Sequence, residues 1–144
     1  MPAGVEIRRA RAEDLAACAE LYVKVLRETF TWLPPERHCE DDFYRAAGEE
    51  EIYVATVGDR LVGLAAFYRP QNFLHSLYVD LRGFGVGKAL LDHVDSVADG
   101  PVSLKVQEPN LKARAFYARE GFHCVEHGCD TGSDVPWLRL VRES

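Results

Sequence analysis

Three glycines at alternate positions, Gly83, Gly85 and Gly87, follow the apolar run Phe73–Val79 and lead directly into an amphipathic segment that begins at Val86. A strand entering a helix through such a turn gathers unpaired backbone N–H groups and the positive end of the helix dipole at one place. That place suits an anion, most often a phosphate. Two phosphate loops can be tested against it. The dinucleotide fingerprint requires its third glycine where Lys88 stands. The nucleotide-triphosphate loop requires a glycine where Arg82 stands and a magnesium-binding hydroxyl where Ala89 stands. These residues disfavour ATP or GTP chemistry. They leave open a phosphate-bearing cofactor handled without magnesium, or a turn that serves only to pack a strand on a helix.

The elements that must position this turn are legible from periodicity. Residues 5–10 alternate as a short strand, and Asp14 is placed to cap a helix over Leu15–Thr29, whose Leu15, Cys18, Ala19, Tyr22, Leu26 and Phe30 recur at helical spacing. Pro34 and Pro35 then break the chain, and a short helix is expected over Glu40–Ala47. Glu51–Val57 and Leu61–Arg69 read as strands joined by a Gly58-Asp59-Arg60 hairpin turn. Phe73–Val79 is the strand before the glycines, Val86–Ala98 the helix after them, and Val102–Gln107 a further strand. Leu111–Glu120 reads as a helix with Asn110 as its N-cap and Gly121 as its stop, followed by strands over Cys124–Cys129 and Trp137–Val141. This order suggests a mixed sheet with helices on both faces. No repeat or linker interrupts residues 1–144, so one domain is expected.

Composition narrows the class. The chain has 144 residues, 47% hydrophobic and 28% charged, enough for a packed core. Its net charge of −6 argues against a nucleic-acid backbone as main partner and mildly favours a cationic one. No apolar run has the length of a membrane span, and the first residues lack the apolar segment of a secretory signal, so a cytoplasmic protein with no membrane partner is expected. Cys18, Cys39, Cys124 and Cys129 are scattered, which favours reduced thiols. The run His123 to Cys129 brings His123, His127 and Cys129 to one face of a regular strand while Cys124 points away. A metal site there is an alternative, but four ligands do not converge without a bulge, and no metal is expected.

The glycine loop resembles the acetyl-CoA loop of the GNAT superfamily of N-acetyltransferases, with Arg82, Gly85 and Gly87 filling its pattern. Asn110, Ala113, Phe116, Tyr117, Gly121 and Phe122 look like the second cofactor segment of the same superfamily, in the right order. The resemblance runs from Ile7 to about Val141. It implies a GNAT-like α/β (α+β) fold: a mixed, mostly antiparallel sheet of about 6–7 strands, in which the strand before the loop and the strand ending near Gln107 run parallel and splay apart. Acetyl-CoA as cosubstrate enters that splay, and its acetyl group passes by direct transfer to a primary amine.

The resemblance also assigns roles. Cofactor contacts fall on the backbone of Leu77, Tyr78 and Val79, on the loop residues Arg82, Gly83, Phe84, Gly85, Val86, Gly87 and Lys88, and on Asn110, Phe116 and Tyr117. The turn after Val79 is two residues shorter than the superfamily pattern, which moves the expected pyrophosphate contacts from Arg82 toward the amides of Phe84–Lys88. Tyr117 falls where a tyrosine protonates the coenzyme A thiolate, a task open to a phenol with a pKa of about 10. His75 falls where some members carry a histidine that takes the amine's proton, and an imidazole with a pKa near 6.5 suits that task at neutral pH. Strand alternation puts His75 on the face of Leu77, and Glu28 is a second candidate base. Phe30 and Trp32, with His75, are the expected acceptor contacts; Leu33, His38, Asp130, Asp134 and Trp137 are further candidates. The acceptor is a small-molecule amine or a peptide amino group, and a homodimer is a common assembly in the superfamily. A cofactor-binding sensor that has lost catalysis is the remaining alternative.

Overall fold

Tyr53 and Ala55 of strand β2 (Glu51–Val57) pack into one apolar core, while Ile52 and Val54 pack into another. Such a strand is covered on both faces, and the rest of the chain builds those covers. A computed structural model describes residues 5–29, 44, 48–80, 85–129 and 135–142. Beside β2 lie β1 (Val5–Arg9), β3 (Arg60–Tyr68), β4 (Phe73–Val79), β5 (Val102–Gln107), β6 (Phe122–Cys129) and β7 (Pro136–Arg142). They form a seven-stranded sheet in the order β1-β2-β3-β4-β5-β7-β6. Every neighbouring pair is antiparallel except β4 and β5, which run parallel. The expected mixed, mostly antiparallel sheet is therefore present.

Helix α1 (Leu15–Thr29) covers one face, where Cys18, Ala19 and Leu21 pack against Ile52, Val54, Leu64 and Ala66. Helix α2 (Val86–Val97) and helix α3 (Leu111–Arg119) cover the other, where Val86, Leu90, Leu91, Val94 and Tyr117 meet Ala65, Phe67, Leu74, Leu104 and Leu140. The apolar residues of α1 and α2 recur at three- and four-residue spacing, which gives each helix one stripe to bury.

Asp14 departs from the expected cap. It belongs to a 3-10 turn over Ala12–Asp14, and its carboxylate turns back to accept from the Arg11 N–H at 2.7 Å and from Arg8 at 2.7 and 3.0 Å. Two cationic or N–H donors behind it outcompete the helix start ahead. Asn110 does cap α3, its side-chain oxygen accepting from the Ala113 N–H at 3.2 Å.

The feature that positions the site is a bulge. Ala66 of β3 faces Ser76 and Phe67 faces Leu74, so His75 is an extra residue without a partner on β3. A bulge bends its strand and increases its twist. The pairing of β4 with β5 stops at this point: Phe73 faces Ser103, Leu74 faces Leu104, and no later pair forms. Residues 75–79 of β4 stay beside β3, while residues 105–107 of β5 stay beside β7. Their facing edges open into a wedge.

Candidate functional site

Helix α2 begins at the open end of this wedge, beside Val79, with a backbone cradle. Gly85 holds φ at 68°, in the left-handed region that side chains disfavour, and turns the chain into the helix. The first intrahelical bond of that turn is donated by the Ala89 N–H to the Gly85 carbonyl at 2.9 Å, and among the described residues no side chain caps the helix start. The N–H groups of Val86, Gly87 and Lys88 precede that bond and point outward together. Gly87 lets α3 approach: a Cβ there would lie 3.4 Å from Phe116 Cζ and 3.7 Å from Val79 Cγ2. Phe116 thus joins the glycine turn to the second motif, and Val79 joins both to β4.

Two basic side chains near this turn are engaged within the protein. The Lys88 ammonium donates to Glu120 at 3.0 Å and pairs with Asp92 at 3.4 Å, both of which raise its pKa. Its backbone N–H remains the contact it offers. Arg114 donates to the Glu108 carbonyl at 2.9 Å and braces the turn between β5 and α3. Arg82, Gly83 and Phe84 lie outside the described residues, as do the acceptor candidates Phe30, Trp32, Leu33, His38, Asp130 and Asp134 and nearly all of the expected helix over 40–47.

Tyr117 stands on the α2–α3 side of the sheet, 8% exposed, with its ring edge-on to Phe116 and Phe122 at centroid distances of 5.2 and 5.4 Å. Among the described residues its hydroxyl has no hydrogen-bond partner. Burial, with a smaller contribution from nearby Tyr78, pushes the phenol well above its ordinary pKa. The proton is therefore held firmly at neutral pH. A sulfur anion formed in the same dry surroundings is destabilised in the same way, so transfer to it stays within reach.

His75 is found on the other side of the sheet. Leu74 and Leu77, three residues apart, both pack into the α2–α3 core, which regular alternation forbids and the bulge explains. His75 therefore does not share the face of Leu77. It turns toward the α1 side, where Nδ1 lies 2.9 Å from a Glu50 carboxylate oxygen and its ring lies near Phe73. The imidazole is half-exposed at 52%, while the Glu50 side chain is only 7% exposed. The hydrogen bond to Glu50 raises the His75 pKa against the opposing effect of burial. Glu50 was not legible as a site residue: it sits 25 positions upstream, in a turn, with no motif around it.

On the same face, across the wedge, Lys105 lies over the Trp137 ring at 4.2 Å. The Trp137 ring also rests on Gly128, where a Cβ would meet Cζ2 at 2.8 Å. Tyr78 packs in the α1 core, edge-on to Tyr22 at 5.5 Å, and burial pushes its phenol up as well. Leu77 and Val79 pack on the opposite face, so the three side chains serve the two cores and leave their backbone at the wedge. Among the described residues no three His, Cys, Asp or Glu side chains come together as a metal site. On β6 the strand shifts register between Cys124 and Glu126, and Cys124 and Cys129 are exposed and not joined in a disulfide.

These parts fit a long cofactor with a phosphate at one end and a peptide-like arm. Free amides and a bare glycine form the cradle, and the parted strand edges form a slot with hydrogen-bonding backbone along it.

Comparison with known proteins agrees. A family model described as the acetyltransferase (GNAT) family matches residues 15–122. The chain is 27% identical over 142 residues to the peptidyl-lysine N-acetyltransferase YjaB of Escherichia coli, covering 95% of this chain and 96% of that protein. The solution structure of apo YjaB from Escherichia coli superposes with a TM-score of 0.80 at 28% identity, over 96% of this chain and 97% of that one. The PaiA N-acetyltransferase of Thermoplasma acidophilum, solved in complex with coenzyme A, has the same fold, with a TM-score of 0.80 at 18% identity over 99% and 100% of the two chains. The chain belongs to the GNAT family and is an N-acetyltransferase that draws its acetyl group from acetyl-CoA.

Proposed function

We propose that residues 1–144 form a single cytoplasmic acetyltransferase domain that acetylates a primary amine, with the side-chain amine of a peptide lysine as the favoured acceptor class. The lysine reading rests on the YjaB relatives, which are named peptidyl-lysine N-acetyltransferases and match nearly the whole chain. The observation that carries the mechanism is the placement of Tyr117 and His75 on opposite faces of the sheet at the wedge. A proton must be removed on the side where the amine arrives and supplied on the side where the thiolate departs.

The amides of Val86, Gly87 and Lys88 would hold the pyrophosphate, and the β4 edge over Leu77–Val79 would hold the pantetheine arm. Acetyl-CoA bound there supplies a thioester whose carbonyl carbon accepts the amine nitrogen as the carbon–sulfur bond breaks. A backbone N–H of the β4 edge donates to the carbonyl oxygen as negative charge builds on it. The acceptor arrives mostly as an ammonium, and His75 Nε2 takes its proton directly or through one water. Once the carbon–nitrogen bond has formed the nitrogen loses its second proton to solvent; Tyr117 gives the proton on its hydroxyl to the departing sulfur and is reprotonated from solvent.

Thermal shift with acetyl-CoA, coenzyme A and ATP, followed by thiol release across a panel of small amines and lysine peptides, tests this reading. The expected result is stabilisation by both coenzyme A forms only, with thiol release fastest on a lysine peptide. Indifference to coenzyme A would overturn the cofactor site, and turnover confined to small amines would overturn the acceptor class.

A further inference from the structure

We propose that Glu50 is the positioning residue for His75: it fixes the imidazole with Nδ1–H donated to its carboxylate and Nε2 left open to the acceptor side of the wedge. This rests on the reading of His75 as the base. Three observations meet here. The Nδ1 to carboxylate distance is 2.9 Å to one oxygen and 3.2 Å to the other. Glu50 is the buried member of the pair and His75 the exposed one, so the fixed carboxylate orients the imidazole and not the reverse. The bulge presents His75 at the point where β4 and β5 part, which places the ring beside the slot.

A neutral imidazole has one ring nitrogen that donates and one that accepts, and the partner of the first decides which is which. A carboxylate accepts only, so Nδ1 must carry the hydrogen and Nε2 the lone pair. Among the described residues Nε2 has no partner. With the imidazole neutral the pair carries one negative charge, which suits an incoming ammonium. After His75 takes the proton the pair is neutral overall, and the acceptor leaves as a neutral amine ready to attack. Glu50 thus steadies the proton on His75 without taking it.

The surroundings contain little else to titrate. Glu50 is the one charged group that acts on His75 among the described residues. The Tyr78 phenol on β4, raised in pKa by burial, lies edge-on to the Tyr22 ring on α1 in this region. The Lys105 ammonium on β5 is turned onto Trp137.

The test compares the full chain with Glu50→Gln and His75→Ala. NMR titration of the His75 ring should show Nδ1–H in the wild type and a lower pKa in Glu50→Gln, because the amide keeps an acceptor oxygen but loses the charge. In the pH profile of kcat/KM for acetyl transfer, the acid limb should move to lower pH in Glu50→Gln by the same amount, with the plateau falling on the order of tenfold. Melting curves of Glu50→Gln with and without coenzyme A should stay close to wild type. An unchanged His75 pKa in Glu50→Gln would overturn the pairing whatever the kinetics. A shifted pKa with an unmoved acid limb, together with an unaltered profile in His75→Ala, would overturn the proposal through the base reading itself.

Discussion

The ring of Phe116 on α3 closes over the bare Cα of Gly87 on α2, with 3.4 Å between Phe116 Cζ and the place a Cβ would take. Two sequence motifs 29 residues apart therefore share one contact, and the amide cradle of α2 is held against the helix that carries Tyr117.

Gly87→Ala follows from that contact. The added methyl needs only a small shift of Phe116, and alanine favours a helix over glycine, so the melting temperature should stay within a few degrees of wild type. The methyl also sits on the residue that supplies one of the proposed phosphate-binding amides, where a ligand must come close to the backbone. The KM for acetyl-CoA should rise about tenfold, equivalent to ~1.4 kcal/mol of binding. Steady-state kinetics at saturating amine check this, and an unchanged KM would remove Gly87 from the cofactor site.

Lys88→Ala provides the contrast. Its ammonium pairs with Glu120 and Asp92, and its contribution to the cradle is a backbone N–H that alanine retains. Loss of such exposed ion pairs changes stability little. The acetyl-CoA KM should change by less than about twofold, within the effect of a single weak contact; a tenfold rise would mean that the ammonium swings to the phosphates.

Tyr117→Phe keeps the ring stack with Phe116 and Phe122 and deletes the hydroxyl. Coenzyme A binding, measured by calorimetry, should be nearly intact while kcat falls on the order of a hundredfold. Because burial raises the phenol pKa, the wild-type rate should show no alkaline loss attributable to Tyr117 below pH 10.

Acid should weaken the fold through Glu51. Its carboxylate accepts from Arg69 at 3.0 Å and from the Tyr53 hydroxyl at 2.7 Å, and these hold its pKa at about 2 in the fold. A folded-state pKa below the unfolded one gives stability that is present above roughly pH 4.5 and lost as pH falls through about 2. With Arg69 partly exposed, the contribution is about 1–2 kcal/mol. Asp14, held at about 2 chiefly by its hydrogen bond from Arg8, adds a loss of the same sign over a similar window. Melting temperature against pH should fall less steeply below pH 4.5 in Glu51→Gln than in the wild type.

Local pattern was enough for most elements. Bounds read from periodicity agree within about two residues for β1, β2, β3, β4, β5, α1, α2 and α3, because alternation and helical spacing record which side of an element meets a core. Gly85 was legible as a turn into a helix because a positive φ selects glycine locally. Asn110 was legible as a cap for the same reason of range: its partner is three residues away. The resemblance of the two glycine and aromatic blocks then named the family that the comparisons support.

What the sequence by itself determined, then, is the set of elements, the glycine turn into α2 and the family. Tertiary structure alone decided which side chains are free to act. The His75 bulge is invisible locally because it depends on register with β3, and it reverses the face that alternation assigns. The Glu50 contact depends on folding a turn back over β4, and the Lys88 ion pair on docking α3 against α2. Each of these is a long-range contact between charges or strands, and a chain's local preferences carry no record of the partner that packing brings.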